Sequence, residues 1–129
     1  MRILVVDDYP GAANASCLLL GAMGHEAKSA LDGASALELA NTFAPHVVLL
    51  DIGLPDISGY DVARRLRNLP HPPFIAALTG WGAKHDRAKS LAAGVDLHVV
   101  KPASMDKLAE IIEAAQRKLT GPRDAPDRA

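Results

Sequence analysis

Short apolar runs recur along the chain, and the stretches between them are long enough to form helices. Four runs rich in Val, Ile, Leu and Ala cover residues 3–6, 47–50, 74–78 and 97–100. Three of the four are continuous rather than alternating, which is typical of strands buried on both faces of a parallel sheet. Residues 26–30 are predicted to form a weaker fifth strand, mainly from their position between two helical segments.

Apolar residues at helical spacing fill the stretches between these runs. The pattern predicts helices over residues 12–23, 34–43, 59–69, 84–93 and 104–119. The last of them has the clearest apolar stripe, formed by Leu108, Ile111, Ile112, Ala115 and Leu119. Strand and helix alternate five times, which predicts an α/β fold with helices on both faces of a doubly wound parallel sheet.

Several polar residues stand where helices are predicted to begin. Asp32 is a candidate N-cap of the second helix. Ser58, followed three residues later by Asp61, fits a capping box at the start of the third helix. Asp56 and Asp61 are interpreted as turn and cap residues rather than as ligands.

The length of the chain limits its domain organisation. With 129 residues it is long enough for one ordinary domain. Residues 1–120 carry all the predicted strands and helices and are expected to form that domain. Residues 121–129 contain no core-forming side chain, so they are predicted to be a disordered C-terminal tail or the stump of a linker.

Composition excludes several classes of function. A net charge of -1 and an aromatic content of 4% give no electrostatic or stacking signature for a nucleic acid or an anionic membrane. No apolar run approaches the ~18–20 residues that a membrane span needs. No signal peptide is expected, because the first strand begins almost at Met1. Cys17 is the single cysteine, which favours the reducing cytoplasm.

Polar side chains follow each of the well-defined strands. Asp7 and Asp8 follow the first run, Asp51 the second, Thr79 the third and Lys101 the fourth. In open α/β sheets, ligands bind outside the carboxyl ends of the strands. Solvated loops explain any one of these residues, but they explain three carboxylates, a hydroxyl and a lysine together poorly.

These residue types suit phosphoryl transfer. If the first and third strands are neighbours, Asp7, Asp8 and Asp51 converge and repel each other, and a bound cation is the usual remedy. Oxygen ligands without His or Cys favour Mg²⁺ or Ca²⁺. An Asp carboxylate can act as a nucleophile and form an aspartyl phosphate. Lys101 and Thr79 would then stabilise charge on the phosphoryl oxygens.

Four motifs resemble those of the receiver domain of two-component response regulators. They occupy residues 3–8, 49–61, 77–80 and 100–102, and the resemblance extends over about residues 2–119. It implies a flavodoxin-like (βα)5 fold with the strand order 2-1-3-4-5. The segment 79–82 is similar to receivers that are fused to hybrid sensor histidine kinases.

The resemblance implies a role for each residue of the acidic group. Asp51 corresponds to the phosphoacceptor. Asp7 and Asp8 correspond to the acidic pair that holds Mg²⁺ together with Asp51. The backbone carbonyl of Gly53 corresponds to a further metal ligand. Gly53 has no side chain to screen the phosphoryl group, which leaves the lifetime of that group open.

Other positions correspond to the switch machinery of the family. Thr79 matches the switch hydroxyl and Lys101 the phosphate-pairing lysine, and the Lys101–Pro102 bond is expected to be cis. His98 stands where many receivers carry Tyr or Phe, so it is either a switch residue or a half-exposed edge histidine. Trp81 either shapes access to the site or covers a hydrophobic gap in the loop.

The resemblance predicts a phosphorelay receiver that accepts a phosphoryl group from a histidine kinase or a histidine phosphotransfer protein. A downstream protein would then read the face formed by the fourth helix, the fifth strand and the fifth helix. No turnover of an external substrate is expected, so the chain is not predicted to be an enzyme. A degenerate receiver that binds proteins without phosphorylation is the alternative, and a phosphorylation-linked homodimer stays open.

Other nucleotide and phosphate chemistries fit less well. A flavodoxin needs a phosphate loop after its first strand, where this chain has Asp7 and Asp8. A nicotinamide-binding fold needs Gly-x-Gly-x-x-Gly there. A haloacid-dehalogenase-type phosphatase needs an acid/base Asp two residues after its nucleophile, and that position is Gly53.

Overall fold

The structure is a computed structural model that describes residues 1–80 and 87–120. These residues form one parallel five-stranded sheet in the order β2-β1-β3-β4-β5. The strands are β1 (Arg2–Val6), β2 (Glu26–Ala30), β3 (Val47–Asp51), β4 (Phe74–Thr79) and β5 (Leu97–Val100). The helices are α1 (Pro10–Ala22), α2 (Gly33–Phe43), α3 (Gly59–Arg67), α4 (Arg87–Ala93) and α5 (Met105–Thr120). The predicted α/β class and strand order are confirmed.

Alternate residues of each central strand enter two separate hydrophobic cores. Ile3 and Val5 pack on one face with α1 and α5, whereas Leu4 and Val6 pack on the other with α2 and α3. All four side chains are buried. The apolar runs are continuous because a strand covered by helices on both sides has no solvent-facing position.

Helix ends differ from the prediction in two instructive places. Helix α1 begins at Pro10, two residues earlier than predicted, because a proline is well suited to the first helical turn. The predicted capping box is wrong for its acidic residue, Asp61. Ser58 accepts a hydrogen bond from Tyr60 N at 3.2 Å, but the Asp61 carboxylate binds Arg64 one turn further along. The predicted N-cap Asp32 is confirmed, since its carboxylate accepts from Ser35 N at 2.7 Å.

Some predictions fall outside the described residues. They are the tail at 121–129, Trp81, and the first part of the helix predicted over 84–93. Within the described part of the chain, no helix has the length and apolar character to span a membrane.

The core predicts a clear contrast between two leucine substitutions. Leu108 on α5 is fully buried, whereas Leu91 on α4 is 79% exposed. Leu108→Ala should lower the free energy of unfolding by about 2–5 kcal/mol, because it leaves a cavity under α5. Leu91→Ala should change it by less than about 0.5 kcal/mol. Urea unfolding followed by circular dichroism measures both, and equal losses would contradict the packing described here.

Candidate functional site

Strand register brings the polar strand ends to one edge of the sheet. Val6 pairs with Leu50, so Asp7 and Asp51 are the next residues along two neighbouring strands. One carboxylate oxygen each from Asp7, Asp8 and Asp51 lies within 4.8 Å of the others. The predicted convergence of the three carboxylates is confirmed.

The two buried carboxylates share the same local arrangement. Asp7 is 4% exposed and Asp51 is 6% exposed, whereas Asp8 is exposed. Asp7 Oδ1 accepts a hydrogen bond from Tyr9 N at 3.0 Å, and Asp51 Oδ1 accepts one from Gly53 N at 2.9 Å. Each carboxylate is therefore oriented by a backbone N–H two residues ahead, and each has its second oxygen toward Lys101 Nζ.

Lys101 bridges these second oxygens. Its Nζ lies 2.8 Å from Asp51 Oδ2 and 3.6 Å from Asp7 Oδ2. Burial of the ammonium works against its charge, but the hydrogen bond to Asp51 and the negative charges of Asp51 and Asp7 outweigh that effect and raise the pKa of Lys101 above its ordinary value. One ammonium thus contacts two of the three carboxylates, so it offsets only part of the negative charge in the pocket.

The backbone around Lys101 links the ends of β4 and β5. Lys101 N donates to the carbonyl of Thr79 at 2.7 Å. The Lys101–Pro102 peptide bond is cis, as the resemblance implied. Thr79 is 6% exposed and follows Leu78, which pairs with Asp51 in the register of β3 and β4. The structure therefore places Thr79 at the same edge as the carboxylates.

His98 lies within the described residues, whereas Trp81 does not. His98 is half-buried on β5, and its Nε2 lies 2.6 Å from Ser90 Oγ on α4. Ser90 is 2% exposed, so the contact lies under the helix rather than at the acidic edge. Sequence reasoning missed Ser90, because a serine in an Ala-rich helix carries no signal of its partner. Trp81, the residue predicted either to shape access to the site or to cover a hydrophobic gap in the loop, lies outside the described ranges.

The loop after Asp51 depends on a glycine. A Cβ added at Gly59 would lie 2.6 Å from Ile52 Cα and 2.9 Å from the carbonyl oxygen of Asp51. Gly59 N also donates to the carbonyl of Ile52 at 3.2 Å. The first turn of α3 can approach the end of β3 this closely only without a side chain.

Asp56 is the residue whose contact sequence reasoning missed most clearly. Its two carboxylate oxygens accept hydrogen bonds from Gly33 N at 2.9 Å and Ala34 N at 3.0 Å, at the start of α2. These hydrogen bonds, the one from Gly33 first, hold the pKa of Asp56 below its ordinary value. The interpretation of Asp56 as a turn residue did not include this cap, because the helix is distant in sequence.

A cleft of about 890 Å³ opens at the opposite end of the sheet. Two of its basic residues bind protein groups. Arg2 Nε donates to the carbonyls of Phe43 and Ala44, and Lys118 binds Asp96. This cleft is separate from the converging carboxylates of Asp7, Asp8 and Asp51.

Comparisons with known proteins agree with this fold. A sequence model of the family described as "Response regulator receiver domain" matches residues 3–113. The transcriptional regulatory protein KdpE of Mycobacterium tuberculosis is 39% identical over 118 residues, which cover 92% of this chain and 52% of that protein. The sensor histidine kinase RcsC of Salmonella typhi is 31% identical over 112 residues, covering 87% of this chain and 12% of that protein.

Solved structures show the same fold. A CheY-like receiver domain protein from Methanospirillum hungatei superimposes with a TM-score of 0.83 at 26% identity, covering 91% of this chain and 94% of that one. The chain spans about half the length of the curated relative KdpE.

The pairing of Lys101 with Asp51 predicts a strong coupling between the two residues. In metal-free buffer, Lys101→Met should lower the free energy of unfolding by about 1–2 kcal/mol, because a charge-assisted hydrogen bond is lost and two carboxylates are left facing each other. In that background Asp51→Asn should restore stability, because it removes one of the repelling charges. Urea unfolding of the four proteins of this double-mutant cycle measures the coupling, and effects that add within about 0.5 kcal/mol would contradict it.

Proposed function

Since the chain belongs to the response regulator receiver domain family, and is thereby a phosphorelay signalling module, we propose that Asp51 accepts a phosphoryl group. The observation that carries this proposal is the pocket around Asp51. One of its carboxylate oxygens contacts the ammonium of Lys101 at 2.8 Å, and Asp7 and Asp8 lie beside it. A nucleophilic oxygen, a mobile cation and further oxygen ligands are the components that phosphoryl transfer requires.

The donor set fits a hard divalent cation such as Mg²⁺. It consists of carboxylate oxygens from Asp7, Asp8 and Asp51, and the pocket has negative charge in excess of what Lys101 offsets. We propose that these residues hold Mg²⁺ together with the carbonyl of Gly53. When bound, the ion supplies charge neutralisation for phosphoryl oxygens and a template for their orientation.

The residues of the chain have separate roles in the proposed transfer. A carboxylate oxygen of Asp51 attacks the phosphorus of a phosphohistidine on a histidine kinase or histidine phosphotransfer protein. The new O–P bond forms as the P–N bond breaks, and the electron pair returns to the imidazole nitrogen, which takes up a proton. The Lys101 ammonium then pairs with a phosphoryl oxygen, and the Thr79 hydroxyl donates a hydrogen bond to another.

The proposed output is a change at the face formed by α4, β5 and α5. Lys101 N is bonded to Thr79 O, so movement at the end of β4 is transmitted to β5. His98 on β5 contacts Ser90 on α4, so the same strand is joined to the helix. We propose that a downstream protein reads this face, and that the receiver domain comprises residues 1–120. Phosphorylation is stoichiometric in this scheme, without turnover of an external substrate.

Phosphorylation by a small donor tests the proposed acceptor. Incubation with acetyl phosphate and Mg²⁺ should add one phosphoryl group per chain, because small acyl phosphates need no partner protein. Asp51→Asn should abolish the addition, whereas Asp61→Asn, an exposed carboxylate paired with Arg64, should leave it unchanged. Intact-mass spectrometry measures the adduct. An unlabelled parent would favour the degenerate receiver, and equal labelling of Asp51→Asn would assign the acceptor elsewhere.

Binding linkage tests the proposed metal site. At a Mg²⁺ concentration about 100 times its Kd, the free energy of unfolding of the parent should rise by about 2.7 kcal/mol. Asp8→Asn should reduce this gain while leaving the metal-free protein as stable or more stable, because Asp8 adds to the repulsion and Lys101 contacts the other two carboxylates. Thermal unfolding with and without Mg²⁺ gives both quantities. A parent indifferent to Mg²⁺ would count against the site.

A further inference from the structure

The loop over residues 52–58 sets the position of Gly53 relative to Asp51. Its first residue, Ile52, is anchored by its own backbone N–H, which donates to the carbonyl of Leu78 at 3.3 Å. Its end is anchored where Gly59 N donates to the carbonyl of Ile52. The middle of the loop is tied to the rest of the fold by the side chain of Asp56.

Asp56 reaches from this loop to helix α2, which packs on β1 and β2 and beside α3. Its Oδ1 and Oδ2 accept from Gly33 N and Ala34 N, at 2.9 and 3.0 Å. The first N–H groups of a helix have no intrahelical acceptor, and negative charge is favourable there. Asp32 already caps the same helix from within by binding Ser35 N. Helix α2 is therefore capped twice, and only the second cap connects it to the loop after Asp51.

Gly33 provides an independent sign that the loop and α2 are closely fitted. A Cβ added at Gly33 would lie 2.9 Å from Val62 Cγ2, 3.1 Å from Ile57 Cβ and 3.3 Å from Asp56 Oδ1. The Cβ of Ile57 cannot rotate away as the end of a flexible side chain would. A side chain at Gly33 would therefore press on Val62 of α3 and on the loop, and it would crowd the carboxylate of Asp56.

We propose that Asp56 is a positioning residue that holds the loop so that Gly53 presents its carbonyl to the cation bound beside Asp51. This inference rests on the proposed function and deepens it. Mg²⁺ demands near-ideal octahedral geometry, so a ligand on a loosely held loop binds it more weakly. Residues that orient metal ligands typically change metal affinity by 10–100-fold when they are substituted.

Two variants of Asp56 separate its two hydrogen bonds. Asp56→Ala removes both acceptors and should raise the Kd for Mg²⁺ about tenfold. Asp56→Asn retains one acceptor oxygen but sets an amide N–H₂ against a backbone N–H, so its Kd should lie between those of the parent and Asp56→Ala. Titrations of the ¹⁵N-labelled proteins with Mg²⁺, followed by the amide signal of Gly53, give each Kd.

Asp32→Ala is the matched control. It removes a carboxylate cap from the same helix without touching the loop, so it should lower the unfolding midpoint in urea while the Kd for Mg²⁺ stays within twofold of the parent. Gly33→Ala is the converse, because alanine favours the helix but crowds Asp56 and Ile57. It should raise the Kd as Asp56→Ala does. Amide hydrogen exchange of residues 53–57, measured without metal, should quicken in Asp56→Ala and stay unchanged in Asp32→Ala.

The outcomes distinguish the two proposals. A parent that binds no Mg²⁺ and accepts no phosphoryl group overturns the proposed function. A parent that binds Mg²⁺, with a folded Asp56→Ala variant of equal Kd and equal loop exchange, overturns the positioning role alone. Equal losses of Mg²⁺ affinity in Asp32→Ala and Asp56→Ala would also overturn it, because the effect would then belong to the capping of α2 in general.

Discussion

The ammonium of Lys101 lies 2.8 Å from Asp51 Oδ2 and 3.6 Å from Asp7 Oδ2, and the arrangement of the site depends on this contact. The parallel pairing of β1 with β3 forces the two carboxylates together with Asp8 at the same sheet edge. Such a cluster of like charges is unfavourable unless cations offset it. Lys101, directly after β5, offsets part of the charge. We propose that a divalent ion and, with it, a phosphoryl group take up the remainder.

The contact between Lys101 and Asp51 also connects the proposed phosphorylation site to the face formed by α4, β5 and α5. A phosphoryl group on Asp51 would compete for the ammonium that now binds the free carboxylate, so Lys101 faces a new partner when Asp51 is modified. Its backbone N–H is bonded to the carbonyl of Thr79, and three positions earlier His98 contacts Ser90 of α4. These hydrogen bonds, joined through the backbone of residues 98–101, are the physical route that we propose between the acceptor and the face formed by α4, β5 and α5. At the other side of the pocket, Asp56 links the loop of Gly53 to α2.

Much of this structure could be predicted from the sequence, because apolar runs and the polar residues that follow them reflect the surroundings of each strand. The continuous apolar run ending at Val6 predicted a strand buried on both faces, and the polar residues that follow the strands predicted the site edge. The strand order came from the resemblance, since periodicity does not say which strands pair. Asp56 is 22 or more positions from the residues of α2 that it contacts, and His98 is 8 positions from Ser90. No local signal names such a partner, because the pairing is decided only when the helices pack.

Locating the phosphoryl group on the chain is the most direct test of the central claim that Asp51 is the acceptor. Borohydride reduction cleaves an acyl phosphate and converts the phosphorylated aspartate into homoserine, which peptide mass mapping assigns to one position. After phosphorylation in the presence of Mg²⁺, we expect homoserine at position 51 and aspartate at positions 7, 8 and 56. Homoserine at any of those other positions, with aspartate retained at 51, would contradict the account.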